Sequence, residues 1–324
     1  MRSRTVRTRP VAALALLTAA AAVLGAGAPS GAAPGAPVAA EAVQRTQQAQ
    51  QALQEQKDGC KPVPVPPSTA DGPSVKAIKG KGVLVIGVDQ NSYHWGARNP
   101  NTGNLEGFDI DLAKRIGRDI MGDEKKVVLK PVATADRIPA LTSTDGSGVD
   151  LIVRTMTINC DNLDKVAFSQ PYFNIKQRVL VPHSSKATTV DDAITNKTVC
   201  AASGSVASKV LDAKRTVKKI VQVDNQLDCL VRMQLGQVDA TMTDDELAAG
   251  QSAQDQTVRL VDGFEQPETI GVAMRQDRTD LTARVNQVIS DFYRDRGWEN
   301  SFEKWVQPYL PDGSKDPAPY WPAG

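Results

Sequence analysis

One pattern restricts the fold of this chain more than any other. From Val83 onward, short runs rich in β-branched residues alternate with helix-length amphipathic segments. "GVLVIGVDQ" reads as a buried strand, and "GFDIDLAKRIGRDIMG", Gly107 to Gly122, reads as an amphipathic helix after an aromatic, glycine-rich loop, Asn91 to Glu106. Next come "KKVVLKPV" as a strand, "ADRIPALTS" as a short helix capped by Thr134 or Asp136, and "GVDLIVRTMT" as a strand. A second series follows "FSQPYFNIKQRVLVPHSS": strand "KTVCAA", helix "SGSVASKVLDAKR", strand "KIVQV", helix "QLDCLVRMQLGQ", strand "VDATMTD" and helix "DELAAGQSA". Alternation of this kind gives mostly parallel sheets covered by helices. Two such series predict two α/β units. The chain then returns to the first through one strand and one long helix, whose apolar positions Leu281, Val285, Val288, Ile289 and Phe292 fall at helical spacing.

The segments outside this pattern divide the 324 residues further. Residues 1–40 carry four arginines, an apolar run from Val11 to Leu24 and then small residues, the composition of a secretory signal with no cysteine for lipid attachment. That run is short for a bilayer span, which needs ~20 apolar residues; retention as an anchor is the alternative. Residues 41–74 form a polar, helix-permissive stretch and a proline-rich leader, and residues 309–324 form a proline-rich tail. Lobe 1 is expected over 75–178 plus 266–308, and lobe 2 over 182–262. Loss of the signal removes four positive charges and takes the formal charge from +1 to −3, which argues against a basic nucleic-acid surface. Export places Cys60, Cys160, Cys200 and Cys229 in an oxidising compartment, where two disulfides are expected. The two histidines have no second His or Cys at ligand spacing, so neither a metal nor another cofactor is expected, and His94 reads as a surface residue.

Seven short segments in order carry a family resemblance: "GFDIDLAKRI", "RIPAL", "VDLIVRTMTI", "FSQPYF", "KTVCAASGS", "GQVDATMTDD" and "GWENSFEKW". Together they resemble the type 3 extracellular solute-binding proteins that serve amino-acid ABC importers, particularly the glutamine- and glutamate-binding members from actinobacteria. The resemblance implies a two-lobed periplasmic-binding-protein-like (type II) α/β fold with a ligand cleft between the lobes. The Gly107 helix then becomes scaffold, with Phe108, Ile110, Leu112 and Ile116 packed behind the sheet edge.

In that family the ammonium of a bound amino acid meets an acid after the "VDA" strand, here Asp244, which could instead cap "DELAAG" unless Asp245 does so. The carboxylate meets an "SGS"-type turn, here Ser203, Gly204 and Ser205, and the threonine segment Thr155 and Thr157. It also meets an arginine five residues after the threonine. That position holds Asn162, which lacks the bidentate fork of a guanidinium. Arg154 is a candidate replacement, or else an ion-pair partner of Asp150 or Asp89. Asp89 would accept from an ammonium or orient Arg154, one of Tyr93 and Trp95 would wall the ligand, and Arg137 would reach a side-chain carboxylate or be a solvated helix charge. With both arginines in the cleft, glutamate or aspartate becomes the favoured ligand.

Cys200 and Cys229 fall within one unit, which favours that pair and leaves Cys60 with Cys160. A Cys160–Cys200 bond would clamp the cleft instead. Chain crossings near Gln177–Pro182 and Asp262–Thr269 would form the hinge. The expected function is capture of a polar amino acid, glutamate, aspartate or their amides, by an exported monomer that passes it to a membrane ABC permease. Alternatives are a ligand sensor or degenerate paralogue working through a membrane protein partner, and an enzyme resembling periplasmic cyclohexadienyl dehydratases. Ala202 stands where relatives often carry lysine, and an acid or base catalyst is hard to place, so no enzymatic activity is expected.

Overall fold

The computed structural model describes residues 62–263 and 265–310. The expected signal segment, the polar part of the leader, Cys60 and nearly all of the tail lie outside these residues. The described leader runs from Pro62 without regular structure and is strapped to a later helix, with Ser68 N–H donating to Ala283 O (3.0 Å) and Asn286 Nδ2 to Val65 O (2.7 Å). It ends in helix α1 (Pro73–Lys81), which the sequence reading did not predict. Its first amides are capped from 206 and 205 residues downstream, Asp280 accepting from Ser74 N (2.8 Å) and Val75 N (3.1 Å). Local sequence gives no sign of so distant a cap.

Strand β1 (Leu84–Val88) is the buried run expected. The loop after it is a small antiparallel sheet of β2 (Asn91–Ser92), β3 (Gly96–Arg98) and β4 (Leu105–Glu106), where an aromatic, glycine-rich loop without strands was expected. Helix α2 (Phe108–Met121) starts without a side-chain cap because carbonyls of the preceding loop do that work. Phe108 N–H donates to His94 O (2.9 Å) and Asp109 N–H to Trp95 O (3.0 Å). Gly107 allows this approach: it sits at φ 129°, and a Cβ there would lie 2.4 Å from Trp95 O. Phe108, Ile110, Leu112 and Ile116 are all buried, as an amphipathic scaffold requires.

Next come β5 (Val127–Pro131), a 3₁₀ turn over Thr134–Asp136, α3 (Arg137–Thr142), β6 (Leu151–Val153), α4 (Cys160–Leu163) and β7 (Ala167–Phe168). The expected cap of α3 is absent: neither Thr134 nor Asp136 caps with its side chain, and the Thr134 hydroxyl accepts from Arg154 Nη1 (2.9 Å) instead. The long strand β8 (Phe173–Pro182) leads into the second unit: α5 (Val190–Ile194), β9 (Thr198–Ala202), α6 (Val206–Ala213), β10 (Lys219–Val223), α7 (Gln226–Gln234), β11 (Ala240–Asp244), α8 (Asp245–Gln254) and β12 (Val258–Leu260). Strand β13 (Glu265–Ile270) pairs antiparallel with β8 from Gln177 to Phe173, and β14 (Ala273–Met274) rejoins the first sheet. The return therefore takes two strands, not one.

The closing helix is also divided, into α9 (Thr279–Arg294) and α10 (Gly297–Trp305). Arg296 takes φ 61°, and a Cβ on Gly297 would come within 2.4 Å of Phe292 Cδ2. This left-handed break turns Trp298 back onto Phe108, Phe173 and Phe302.

Two main sheets result, ordered β5-β1-β6-β14-β7 and β10-β9-β11-β8-β12, with β13 beside β8. β1 runs parallel to β5 and β6, and β9 parallel to β10 and β11. Each sheet has its own apolar core. Leu281, Val285, Val288 and Ile289 of α9 are fully buried on the first, each contributing about 1.5–3 kcal/mol by burial. The second sheet buries Val179, Val199, Leu211 and Met242. Cys200 and Cys229 are joined within the second unit, with a Cα–Cα distance of 5.5 Å, so Cys200 cannot clamp the cleft. Cys160 is also disulfide-bonded. Its expected partner Cys60 lies outside the described residues. Among the described residues, no helix is long and apolar enough to cross a membrane.

Candidate functional site

The C-terminal ends of parallel strands from both sheets converge on one cavity, as open α/β sheets tend to arrange. Its empty space is about 400 Å³ counting the open mouth. From the first sheet, the end of β1 supplies Asp89, the segment after β5 supplies Thr134 and Arg137, and the segment after β6 supplies Arg154, Thr155 and Thr157. From the second, the end of β9 leads to Ala202, Ser205, Val206 and Ala207, the end of β11 to Thr243, Asp244 and Leu247, and α7 opens with Gln226.

Arg137 is no solvated helix charge. It is 7% exposed, and its guanidinium donates from Nε to Thr134 O (2.9 Å) and from Nη1 to Arg154 O (3.3 Å) and Thr155 O (3.2 Å). Nη2 reaches across to Gly204 O of the second unit at 3.5 Å. Among the described residues, no carboxylate lies within ion-pair distance of it. Burial, with Arg154 nearby, lowers its pKa to about 10, so the side chain stays cationic at neutral pH.

Arg154 is differently placed. Its Nη2 lies 3.2 Å from Asp89 Oδ2 and its Nη1 donates to Thr134 Oγ1, while Asp150 pairs with Lys81 and Arg278. Asp89 is saturated, accepting also from Gln90 N (2.7 Å), Asn91 N (3.0 Å) and Ser92 Oγ (2.7 Å). The positive charge of Arg154 is thus matched within the fold. Both arginines line the cavity, and Asp89 already offsets the charge of one of them.

Asp244 ends β11 and does not cap α8 with its side chain. Asp245, the first residue of α8, accepts at Oδ1 from Lys176 N (3.1 Å). The Asp244 carboxylate accepts from Gln177 Nε2, which also donates to Glu268 Oε2 (3.1 Å). Among the described residues it has no cation at ion-pair distance, and burial together with Glu268 raises its pKa to about 7.

Thr155 sits at φ 38°, an unusual conformation for a β-branched residue. Its N–H donates to Asp109 Oδ2 (2.9 Å) and its carbonyl accepts from Arg137. Asp109, buried in the first turn of α2, also accepts from Tyr172 Oη (2.8 Å), and burial raises its pKa to about 7. The sequence reading placed no functional residue on this helix.

Other expected site residues lie elsewhere. Asn162 is outside the cavity lining: its Nδ2 donates to Thr157 O (2.8 Å), so it braces the threonine segment from behind. Trp95 is buried against Phe108 and Phe173, and Tyr93 is 38% exposed; neither walls the cavity, because the β2–β3 ribbon turns both away. His94 is half-buried and stacked on Tyr309 at 4.1 Å, with its pKa lowered by burial, and so is not a surface residue. Of the "SGS" turn only Ser205 lines the cavity. Ser203 N–H is engaged by Val223 O (2.8 Å), Ser205 Oγ caps Ser208 N (3.1 Å), and the helix opening at the cavity belongs to Val206 and Ala207. Thr134, Gln226, Thr243 and Leu247 were missed. Only the strand-end rule could have suggested them.

Comparison with known proteins agrees with the two-sheet α/β fold. Residues 84–308 match the model for bacterial extracellular solute-binding proteins, family 3. The ABC transporter glutamine-binding protein GlnH of Bacillus subtilis (strain 168) is 32% identical over 72% of this chain and 85% of its own length. The glutamate-binding protein GluB of Corynebacterium efficiens is 26% identical over 75% of this chain and 84% of its own. Among solved structures, the solute receptor for L-cysteine of Neisseria gonorrhoeae superposes with a TM-score of 0.68 at 25% identity, covering 74% of this chain and 96% of that one.

Proposed function

The chain belongs to the family 3 bacterial extracellular solute-binding proteins, and from that premise we propose that it captures a polar amino acid with an uncharged side chain, L-glutamine foremost, outside the cell and delivers it to an ABC importer. A solute-binding protein of this family binds its cargo and is not an enzyme. One observation carries the ligand assignment: of the charges lining the cavity, the buried cation Arg137 and the half-buried anion Asp244 have no opposite charge at ion-pair distance among the described residues. A zwitterion supplies both missing partners, its carboxylate to Arg137 and the start of the Val206 helix, its ammonium to Asp244. Because Asp89 neutralises Arg154, a side chain entering between them meets no net charge. An amide, donor and acceptor together, fits such a pair, whereas glutamate would have to pull Arg154 from Asp89. The printed functions of the B. subtilis and C. efficiens relatives, glutamine and glutamate binding, bracket this choice.

The test is thermal melting and calorimetry against the twenty amino acids. Glutamine at a hundred times its dissociation constant should add about 2.7 kcal/mol of stability. Arg137→Ala should cost about 2–5 kcal/mol of binding energy because it leaves the ligand carboxylate buried and unmatched. Silence across the whole panel, or undiminished binding by Arg137→Ala, would sink the assignment.

A further inference from the structure

We propose that Asp109 is a positioning residue for the ligand cleft: it holds Thr155 in its left-handed conformation and so presents the Thr155–Thr157 segment to the bound amino acid. The inference rests on the amino-acid reading of the cleft. Its basis is the way the backbone of one residue is gripped on both sides. The Thr155 N–H donates to Asp109 Oδ2 at 2.9 Å, and the Thr155 carbonyl accepts from Arg137 Nη1 at 3.2 Å, the same guanidinium that lines the cavity. A threonine relaxes away from φ 38° unless something holds it, because its branched Cβ crowds the backbone there.

Asp109 is suited to that task. It does not cap its own helix, and it reaches 46 residues along the chain to a segment of the neighbouring strand's end. Its own backbone N–H is anchored on Trp95 O, and its second oxygen is fixed by the fully buried Tyr172 hydroxyl at 2.8 Å. Among the described residues no cation pairs with it, so an ion pair does not explain why a carboxylate is buried at this point. Were Asp109 absent, Thr155 would relax, and the Arg137 contact and the register of Thr157 would go with it.

If strain at Thr155 is what Asp109 manages, glycine at that position makes Asp109 dispensable, since glycine enters the left-handed region freely. L-glutamine affinity is measured by calorimetry for the full chain and for Asp109→Ala, Asp109→Asn, Thr155→Gly and the Asp109→Ala/Thr155→Gly double variant. Asp109→Ala should weaken glutamine at least about tenfold, and in the Thr155→Gly background the same change should cost less than about threefold, a coupling within the range of contacting pairs. Asp109→Asn, which keeps an acceptor for the Thr155 amide, should remain near wild type. Equal losses from Asp109→Ala in both backgrounds would show an ordinary core role and overturn the proposal. Two further readouts do not need a ligand. The melting midpoint lost on Asp109→Ala should be largely recovered in the double variant, and the Thr155 amide should be protected from hydrogen exchange in the wild type. A rapidly exchanging Thr155 amide would refute the grip even if Asp109→Ala fails to fold. Failure of wild-type glutamine binding with an intact melting cycle would instead count against the ligand assignment alone.

Discussion

At the scale of single residues, selectivity depends on which charges the fold has already matched. Arg137 and Arg154 are both buried and both line the cavity, yet among the described residues only Arg154 has a carboxylate at ion-pair distance. Asp89→Asn should therefore turn the preference around. The amide side chain keeps an acceptor for the Gln90 and Asn91 amides but leaves the Arg154 charge facing the cleft. The glutamate-to-glutamine affinity ratio should rise by at least about tenfold, about 1.4 kcal/mol, in competition calorimetry. An unchanged ratio would mean that the ligand side chain points elsewhere. Asn162 illustrates the reverse case, a candidate chosen by position that faces away from the cavity. An asparagine at a turn is read equally well as a ligand or as a brace, and its bond to Thr157 O decides for the brace.

At the scale of elements, the junction of β11 and α8 concentrates acids. Asp244, Asp245 and Glu246 follow one another, Glu268 of β13 is close by, and Gln177 of β8 bridges Asp244 and Glu268. Burial and mutual repulsion raise the pKa of Asp244 to about 7. An ammonium needs the ionised carboxylate, so below neutrality glutamine must displace a proton from Asp244. Its affinity should therefore fall as pH drops from 7 towards 5, by up to about tenfold per unit, in calorimetry across buffers of different ionisation heat. A flat affinity profile would exclude Asp244 as the ammonium acceptor. How this junction would behave was only partly legible in the sequence. The strand and helix were clear from "VDATMTDDELAAG", but the approach of Glu268 depends on the pairing of β13 with β8, which no local pattern encodes.

At the scale of the whole molecule, two further expectations follow. Asp109 and Asp244, at about 7 in the fold against an ordinary 3.8, make the native state bind more protons than the unfolded chain between those values. Their contribution to stability is thus largest at the acid end of that window and is lost as pH rises through about 7. The unliganded protein should melt higher near pH 5 than near pH 8, opposite in direction to ligand affinity; parallel trends would contradict the assignment of both carboxyls. The Cys200–Cys229 bond closes a loop with a sequence separation of 29, worth about 3–4 kcal/mol on the chain-entropy account. Replacing both cysteines by alanine should lower stability by about that amount in urea titration while glutamine affinity stays within about twofold. The bond lies inside the second unit and does not cross the connecting strands β8 and β13.

Sequence alone indicated the layered α/β plan and the scaffold face of the Gly107 helix, and it named Asp244 and Arg137 among several candidates, both of which line the cavity. The plan and the scaffold face follow from hydrophobic periodicity, a local property, whereas Asp244 was singled out by the family resemblance. Only the tertiary structure decided which charges are matched. It set Arg154 against Asp89, left Arg137 and Asp244 without an opposite charge at ion-pair distance among the described residues, and turned Asn162, Tyr93 and Trp95 away from the cavity. It also brought Asp109 of the signature helix to the strained Thr155, a contact between residues 46 positions apart. Periodicity reports which face of an element is buried, whereas the pairing of buried polar groups depends on contacts between distant elements, and it is that pairing that fixes what the cleft can bind.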